Sequence, residues 1–329
     1  MRLSICSGMQ PFELRSRATA ERLAAACRDA GHEVEIVYLP WSDVHSVRQL
    51  AAYRWIDLAS SSDRVVCLDL PALVVPHPRK SVWMTQPAAC VSGHIEGSSH
   101  VSADELERRA VVSEIERSAL AEAAAVYATE RCSIRQTPQP ADTRLLRLPP
   151  EPAPERETVL YDGDFVCLGS ITASSRVEVI IDALALGHSR ARVRFLGDFD
   201  DPDFEQRIRE RVRTKNVGDV VTFEAGGSDS VKVLARSAAV IQLGACCDDL
   251  LVAAARRAKA VLASSEALAS RGLACETTQP VEPSADALAD AIAQLAADRS
   301  RARELGMTAA ESLDTILPTW DTVATQLLQ

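Results

Sequence analysis

The residues best suited to chemistry lie at 164–186, where an apolar run meets a glycine, several hydroxyl side chains and an arginine. Phe165–Leu168 predicts a buried strand, Gly169 a turn, and the pattern from Arg176 onward an amphipathic helix. A strand, a glycine turn and a helix N-terminus form an anion site in α/β proteins, because backbone N–H groups and the helix dipole point at one spot. A polar turn leading into a capped helix, without a ligand, is the alternative interpretation.

Length and composition limit the class of protein that can carry this turn. With 329 residues the chain exceeds the usual size of a single core, so two domains are expected. The apolar fraction of 47% and the charged fraction of 25% are ordinary for a soluble globular protein. A formal net charge of −10 argues against a general nucleic-acid binder, which needs a basic face.

The sequence also favours a cytoplasmic protein. The first ten residues, MRLSICSGMQ, contain too short an apolar run for a signal peptide and predict a first buried strand. No window approaches the roughly 18–20 apolar residues that a membrane span requires. Most of the nine cysteines sit inside apolar segments, which is typical of buried thiols in a reducing compartment.

Strand-like and helical patterns alternate along nearly the whole chain, which predicts parallel sheets covered by helices on both faces. The segment PPEPAPE at Pro149–Glu155 predicts an extended interdomain linker, because its four prolines cannot continue a helix. Trp41, Tyr53 and Trp55 fall in or near a helix predicted at Asp43–Leu58 and are expected in the core. The predicted strands lie near Leu3–Cys6, Val34–Leu39, Val65–Leu68, Val82–Met84 and Ala124–Ala128 before the linker, and near Phe165–Leu168, Val193–Leu196, Val220–Phe223, Val240–Leu243 and Ala260–Ala263 after it.

Several phrases occur in the order in which one enzyme family carries them. They include AERLAAACRDAGHEVEIVYLP (Ala20–Pro40), HPRKSVWMTQ (His77–Gln86), RVRFLGDFDD (Arg192–Asp201), VGDVVTFEAGGSDSVKVLARSAAVIQLG (Val217–Gly244), AKAVLASS (Ala258–Ser265) and SADALADAIAQLAADRSRARELGMTAAES (Ser284–Ser312). Together with residues 164–186, they resemble the family-4 retaining glycosyltransferases. The resemblance covers most of the second half of the chain and parts of the first. It rests on the phrases occurring together in this order, because no phrase is diagnostic alone.

The resemblance implies the GT-B fold, in which two Rossmann-like α/β domains face each other across a cleft and a C-terminal helix can cross back. The implied domains are an acceptor-side domain at 1–150, a Pro-rich linker at 151–158, a nucleotide-sugar (donor) domain at 159–310 and C-terminal helices at 311–329 near the junction. The implied reaction moves a sugar, in the manner of a hexosyltransferase, from a nucleotide sugar to a small-molecule acceptor with retention of configuration. The family generally needs no metal or other cofactor, so Asp162-Gly163-Asp164 is interpreted as a turn and not as a metal-binding DxD motif.

The resemblance also assigns roles to individual residues. Residue type and position, and not the resemblance, make His94 the candidate catalytic residue: it lies in the loop after the strand that contains Trp83 and could act as a base or polarise a leaving group, although solvated loop histidines are more common. Asp248 and Asp249 equally suit helix capping, and Glu224 with Gly226 equally suits an ordinary surface turn. The implied contacts are Gly169, Ser170, Ser175 and Arg176 for the donor phosphates, Asp248, Asp249 and Leu250 for the donor sugar and ribose, Glu224 and Gly226 for the base, and Ser7, Gly8 and Gln86 for the acceptor side.

Four side chains that normally hold the donor are absent. Ser170 and Ser175 stand where the family usually has Arg and Lys, and Ala245 and Ala253 stand where it has paired glutamates. Losing the two cations removes roughly 3–6 kcal/mol from diphosphate binding, at about 1.5–3 kcal/mol for each hydrogen bond to a charged group. Backbone N–H groups, loop hydroxyls and Arg176 would then have to hold the phosphates.

A further departure lies in the acceptor-side domain, where Thr85 and Gln86 follow a strand that the family usually ends with a histidine. Two hypotheses follow from these departures. The first is an active glycosyltransferase whose partners are a nucleotide sugar and a small-molecule acceptor. The second is a catalytically degenerate GT-B protein that acts as a partner or scaffold of another enzyme. A homodimer is compatible with both.

Other enzyme classes lack their defining motifs. No G-x-G-x-x-G follows a predicted strand, which disfavours a dinucleotide oxidoreductase. A Walker A lysine motif is absent, which disfavours a P-loop NTPase. The absence of G-x-S-x-G disfavours an α/β-hydrolase.

Overall fold

The computed structural model divides the chain into two units. The first unit joins Met1–Pro149 to Pro318–Gln329, and the second is Pro150–Leu317. The linker predicted at 151–158 lies outside the residues that the structure describes. Those residues are 1–9, 14–41, 47–85, 103–129, 142–149, 161, 163–225, 230–244, 250–265, 267 and 279–329.

The first unit is built on a six-stranded parallel sheet with the order β2-β1-β3-β4-β5-β6. The central strands β3 and β4 are almost fully buried, which explains why the sequence shows them as continuous apolar runs. The strands are β1 (Arg2–Met9), β2 (Glu33–Pro40), β3 (Arg64–Leu68), β4 (Lys80–Met84), β5 (Ala125–Ala128) and β6 (Arg144–Leu145).

Helices of this unit are α1 (Leu14–Asp29), α2 (Val47–Tyr53), α3 (Asp69–Ala72) and α4 (Ala103–Ala121). α1 ends shortly before Gly31, a residue type suited to the position after a helix C-terminus. The Gly31 N–H donates to the Arg28 carbonyl oxygen at 2.8 Å, and the His32 N–H donates to that of Cys27 at 3.1 Å. These two bonds satisfy carbonyl groups that the last helical turn leaves without a partner.

The expectation for residues 43–58 is wrong in two respects. α2 covers only Val47–Tyr53, and residues 42–46 lie outside the described part of the chain. Trp55 follows the end of α2 and is 89% exposed, whereas Trp41 is buried and Tyr53 packs against the core. The expectation for Trp55 depends on helical spacing, which would place it on the buried face of the helix. Since α2 ends at Tyr53, that spacing does not apply to Trp55.

The second unit contains a six-stranded parallel sheet of order β12-β11-β10-β7-β8-β9. Phe165, Phe195 and Leu262 from its strands are buried together with Ile181 and Ile292 from the covering helices. The strands are β7 (Phe165–Leu168), β8 (Val193–Leu196), β9 (Val221–Glu224), β10 (Ala239–Gln242), β11 (Ala260–Ala263) and β12 (Gln279–Pro280), and the helices are α5 (Val177–Ala185), α6 (Pro202–Thr214), α7 (Ser230–Arg236), α8 (Leu250–Arg256), α9 (Ala285–Ala297) and α10 (Arg299–Ile316).

Short polar residues start the helices that follow these strands. The Asp201 carboxylate accepts from the Asp203 N–H at 2.9 Å, with Pro202 at the first helical position of α6. Ser284 caps α9, and Asp298 accepts from two N–H groups at the start of α10. The two units are therefore both doubly wound, Rossmann-like α/β folds, which confirms the predicted fold class.

The last helix, α11 (Trp320–Leu327), belongs to the first unit. The Ser81 hydroxyl donates to the Leu327 carbonyl oxygen at 2.9 Å, and the Tyr127 hydroxyl donates to that of Gln326 at 2.8 Å. Trp83 packs edge-on against Trp320, with ring centroids 6.1 Å apart. Side chains of the sheet thus satisfy carbonyl groups at a helix C-terminus that have no partner inside the helix.

Removing these hydroxyls is expected to loosen α11. Ser81→Ala and Tyr127→Phe should each lower the free energy of unfolding by about 0.5–1.5 kcal/mol, because each deletes a donor to a carbonyl group that has no partner inside the helix. Urea denaturation measures the change. Thr325→Ala is the matched control, since its hydroxyl donates to the Asp321 carbonyl on the exposed side of the same helix. An equal loss in all three variants would contradict the expectation.

Asp182 gives the second unit a pH-dependent contribution. Its carboxylate accepts from Arg211 Nε at 3.1 Å and Nη2 at 2.5 Å, and Lys215 Nζ lies 3.3 Å away. Burial raises the pKa of this carboxyl, but the hydrogen bonds from Arg211 and Lys215 outweigh burial and hold the pKa below its ordinary value. A carboxyl whose pKa is lower in the folded state than in the unfolded state stabilises the fold at pH values above its unfolded-state pKa. This stabilisation is lost as the pH falls through the folded-state pKa.

Asp182→Asn is therefore expected to reduce the free energy of unfolding at pH 7 by more than at pH 3. The two proteins should converge as the pH falls below about 4, where the wild-type carboxyl is also losing its charge. Urea denaturation at the two pH values checks this. A difference that stays constant with pH would show that the charge of Asp182 contributes nothing.

Candidate functional site

The carboxyl ends of β7 and β10 lie side by side at the centre of the second sheet. β7 is the first strand of this unit, and the chain builds β8 and β9 on one side of it and β10 to β12 on the other. At such a switch point the loops that follow the two strands diverge, and open α/β sheets bind ligands in the resulting crevice. The turn Gly169–Arg176 follows β7, so the fold positions it at the switch point.

The turn continues the pairing of β7 with β8 beyond the strands. The Gly169 N–H donates to the Leu196 carbonyl oxygen at 3.1 Å, and the Ile171 N–H donates to that of Asp198 at 2.9 Å. A 3₁₀ turn at Ala173–Ser175 follows, and α5 begins directly after Arg176. The first N–H groups of a helix point out of its N-terminus without intrahelical partners, so this end of α5 suits an anion.

Two glycines allow the turn to lie this close to its neighbours. A Cβ atom on Gly197, after β8, would overlap the carbonyl group of Gly169. One on Gly244, after β10, would overlap the carbonyl group of Ser174. Sequence reasoning did not assign either glycine to the site. The signal that could have found them is a glycine shortly after a predicted strand, beside another strand's loop.

The hydroxyl of Ser175 closes the turn on itself. It accepts from the Thr172 N–H at 3.1 Å and donates to the Thr172 carbonyl oxygen at 2.6 Å. The hydroxyls of Thr172 and Ser174 share a further hydrogen bond of 2.8 Å, while Ser170 is exposed. Ser175 therefore shapes the loop, and its direct contact with a phosphate stays a prediction.

Arg176 occupies an unusual backbone position at the start of α5. Its φ of 56° and ψ of 38° lie in the left-handed region, which is uncommon for a long side chain. The residue is half-buried. A cation at a helix N-terminus is opposed by the helix dipole, whereas a bound anion would be favoured by both.

Glu224, predicted to contact a nucleotide base, ends β9. Its carboxylate accepts from Arg194 Nε at 3.0 Å and from Nη2 at 2.8 Å, and this pairing raises the pKa of Arg194. The Glu224 carbonyl oxygen accepts from the Gly197 N–H at 2.9 Å. Both polar ends of the residue are therefore engaged within the sheet edge, and a contact with a base stays a prediction.

Several predicted site residues lie outside the described part of the chain. Leu250 is described as the first residue of α8, which also contains Ala253. In the Asp162-Gly163-Asp164 segment, the Gly163 N–H donates to the Arg236 carbonyl oxygen at 3.1 Å, and the turn interpretation stays a prediction. The predicted residues outside the description are Gln86, His94, Gly226, Asp248 and Asp249.

The first sheet has its own switch point, between β1 and β3. Ser7 is buried near the end of β1 and donates to the Gly8 carbonyl oxygen at 3.2 Å. A Cβ atom on Gly8 would lie 2.7 Å from both the Leu70 carbonyl oxygen and Pro71 Cδ. The end of β1 therefore packs directly against the chain that leaves β3.

An acidic side chain stands at this second edge. Asp69 follows β3 immediately, and Thr85 follows the neighbouring strand β4. The Asp69 carboxylate accepts from the Thr85 N–H at 2.7 Å and from the Thr85 hydroxyl. Sequence reasoning singled out Thr85 only as a departure and did not consider Asp69, because nothing local links the ends of two separate strands.

Within the described ranges, no three His, Cys, Asp or Glu side chains cluster as a metal ion would require. The helices of the same ranges include none that is both long enough and apolar enough to span a membrane.

No protein-family model matches the sequence. No curated protein matches it either. Solved structures match over nearly the full length. Anabaena Alr3699/HepE in complex with UDP and glucose has a TM-score of 0.66 at 14% identity, covering 100% of this chain and 99% of that chain. WaaG, a glycosyltransferase involved in lipopolysaccharide biosynthesis, has a TM-score of 0.65 at 16% identity and 99% coverage of both chains.

A glycosyltransferase from Rickettsia africae ESF-5 is similar to the same degree, with a TM-score of 0.66 at 14% identity, covering 99% of this chain and 96% of that chain. At these identities the likeness establishes architecture. The protein therefore has the GT-B fold, with a Rossmann-like domain in each of its two units. Membership of family 4 stays a prediction.

Gly244→Ala is expected to disturb the turn. The new methyl group would overlap the Ser174 carbonyl group, so the turn must move, at a cost of about 1–3 kcal/mol in the free energy of unfolding. Gly218→Ala is the matched control, because its Cβ would lie 3.9 Å from the nearest side-chain atom. Urea denaturation compares the two variants. Equal stability would show that the turn does not depend on the approach of Gly244.

Proposed function

We propose that the protein is a glycosyltransferase that moves a sugar from a nucleotide-sugar donor to a small-molecule acceptor, with retention of anomeric configuration. The main support is the turn Gly169–Arg176, which lies at the switch point of a sheet in a chain with the GT-B fold. The HepE structure holds UDP and glucose, so a uridine diphosphate sugar is the first donor to test.

The second unit binds the donor in this proposal. Its diphosphate lies against the N-terminus of α5, where backbone N–H groups and the helix dipole favour negative charge. Arg176 supplies the one side-chain cation of the turn and takes over part of the role that an Arg and a Lys have in family 4. A hydrogen bond to a charged group contributes about 1.5–3 kcal/mol, so one arginine replaces only part of what two cations would give.

The acceptor binds to the first unit, and the sugar is transferred without a metal ion. The helix N-terminus and Arg176 provide the positive charge that a metal would otherwise offer to the leaving diphosphate. Transfer should therefore continue in the presence of EDTA. The donor sugar and ribose are assigned to the start of α8, with Leu250 and the two preceding aspartates, Asp248 and Asp249.

Binding of UDP tests the donor site. UDP should raise the unfolding temperature, because a ligand that binds only the folded state stabilises it. Arg176→Asn should weaken UDP binding by about 10- to 100-fold, the loss expected for one charged hydrogen bond. Asparagine tolerates the left-handed backbone region, so the variant should unfold at the wild-type temperature when no ligand is present.

Two comparisons make this test specific. Arg176→Lys keeps the charge and should retain more UDP affinity than Arg176→Asn. Arg192→Asn removes an exposed arginine just before β8, at the amino edge of the same sheet, and should bind UDP as the wild type does. Failure of UDP, GDP and ADP all to shift the unfolding temperature at millimolar concentration would reject the donor site.

A degenerate GT-B protein that serves as a partner of another enzyme is the second candidate. The observation that favours it is Ser175, which replaces a cation and spends its hydroxyl on the turn itself. Release of UDP from UDP-glucose, measured with and without a panel of small polyols, separates the two candidates. Steady turnover by the pure protein would exclude the degenerate one, whereas UDP binding without turnover of any nucleotide sugar would favour it.

A further inference from the structure

The carboxyl edge of the first sheet holds a half-buried carboxylate for which neither the sequence motifs nor the donor site gives a role. Asp69 is the first residue after β3, and β3 lies beside β1 at the point where the strand order reverses. Open α/β sheets bind ligands at this edge and at this point. Asp69 thus lies beside the switch point of the first unit, as the end of β10 does in the second.

Thr85 fixes the direction of the Asp69 carboxylate. Its backbone N–H donates to Oδ1 at 2.7 Å, and its hydroxyl donates to Oδ2. Two donors from one residue restrain both oxygens, so the carboxylate loses little further freedom when a ligand binds. Neither Asp69 nor Thr85 is fully buried, so the pair lies at a partly exposed position of this edge.

The backbone at this position is constrained as well. Asp69 has a φ of 53°, in the left-handed region. Gly8 of β1 packs against the next two residues, Leu70 and Pro71, without room for a side chain. A glycine at position 69 would adopt this φ at lower cost, yet an aspartate stands there. Uncommon backbone conformations of this kind concentrate at functional sites.

We propose that Asp69, oriented by Thr85, accepts a hydrogen bond from a hydroxyl group of the carbohydrate acceptor. The inference rests on the proposed glycosyltransferase function and adds a specific acceptor-binding residue to it. A carboxylate accepts hydrogen bonds and donates none when ionised, so it selects hydroxyl donors and repels phosphates. It therefore disfavours anionic ligands, and within the proposed transferase function the hydroxyl donor that it suits is a sugar or polyol.

The test measures the binding of D-glucose to the full-length protein by ligand-observed NMR, at glucose concentrations up to tens of millimolar. Asp69→Asn should weaken glucose binding by about 10- to 100-fold, because a charged acceptor becomes a neutral one. Asparagine suits the left-handed backbone, and its amide can still pair with both groups of Thr85. The unfolding temperature should therefore stay at the wild-type value, and so should the shift that UDP produces.

Two further variants separate binding from folding. Thr85→Val keeps the backbone N–H but removes the hydroxyl, so glucose binding should weaken less than in Asp69→Asn. Asp57→Asn is the matched control: its exposed carboxylate accepts only from the nearby Ala59 N–H among the bonds described, and its loss should leave glucose binding unchanged.

The outcomes decide the proposal independently of the donor site. Loss of glucose binding in Asp69→Asn, with the UDP shift intact, supports it. Equal glucose binding by the wild type and Asp69→Asn overturns it, and so does a wild-type protein that binds no glucose. If glucose binding depends on Asp69 while no nucleotide binds, the transferase proposal fails and the hydroxyl site stands.

Discussion

The close packing of three backbone segments at the carboxyl edge of the second sheet is the constraint on which its site depends. The turn after β7 runs directly over Gly197 and Gly244, and neither position has space for a Cβ atom. The turn is also bonded to the backbone beyond β8. Because three strand ends hold it, the N-terminus of α5 points at one place instead of sampling several. An anion site made chiefly of backbone groups requires that fixed geometry.

Serines at positions 170 and 175, where the resemblance to family 4 would place cations, fit this construction. A lysine at position 175 would bring charge but could not accept from the Thr172 N–H. Serine does accept it, and so closes the 3₁₀ turn from within. Serine at this position therefore supplies a bond that fixes the loop. What charge remains in the turn is carried by Arg176, at the residue where the 3₁₀ turn passes into α5.

Most of the architecture could be predicted from the sequence, because it follows from local patterns. Buried parallel strands such as β3 and β7 are continuous apolar runs, and Asp201 and Ser284 mark helix starts by their capping chemistry. The error at Trp55 arose because spacing alone does not say where a helix ends.

The turn Gly169–Arg176 was predictable for the same reason, since a strand, a glycine and a helix start lie next to each other in the chain. Other features of the sites were not. The contacts of Gly244 with Ser174, and of Asp69 with Thr85, join segments that are distant in sequence. They depend on strand order, which no local pattern records. The bond between Ser175 and Thr172 is local. Whether the Ser175 hydroxyl makes this bond or contacts a ligand depends, however, on the path that the neighbouring strands impose on the loop.

The return of α11 to the first unit has a consequence for how the protein is made. A ribosome completes all six strands of the first sheet before it begins the second unit, yet the helix that covers Trp83 and Tyr127 is synthesised only after the second unit. Domains generally fold as units during synthesis, with the N-terminal one first. Here the first domain must wait, with an apolar face uncovered, until the entire second domain has emerged. Folding of the first domain can consequently be completed only after the second domain has been synthesised, although each domain has its own core.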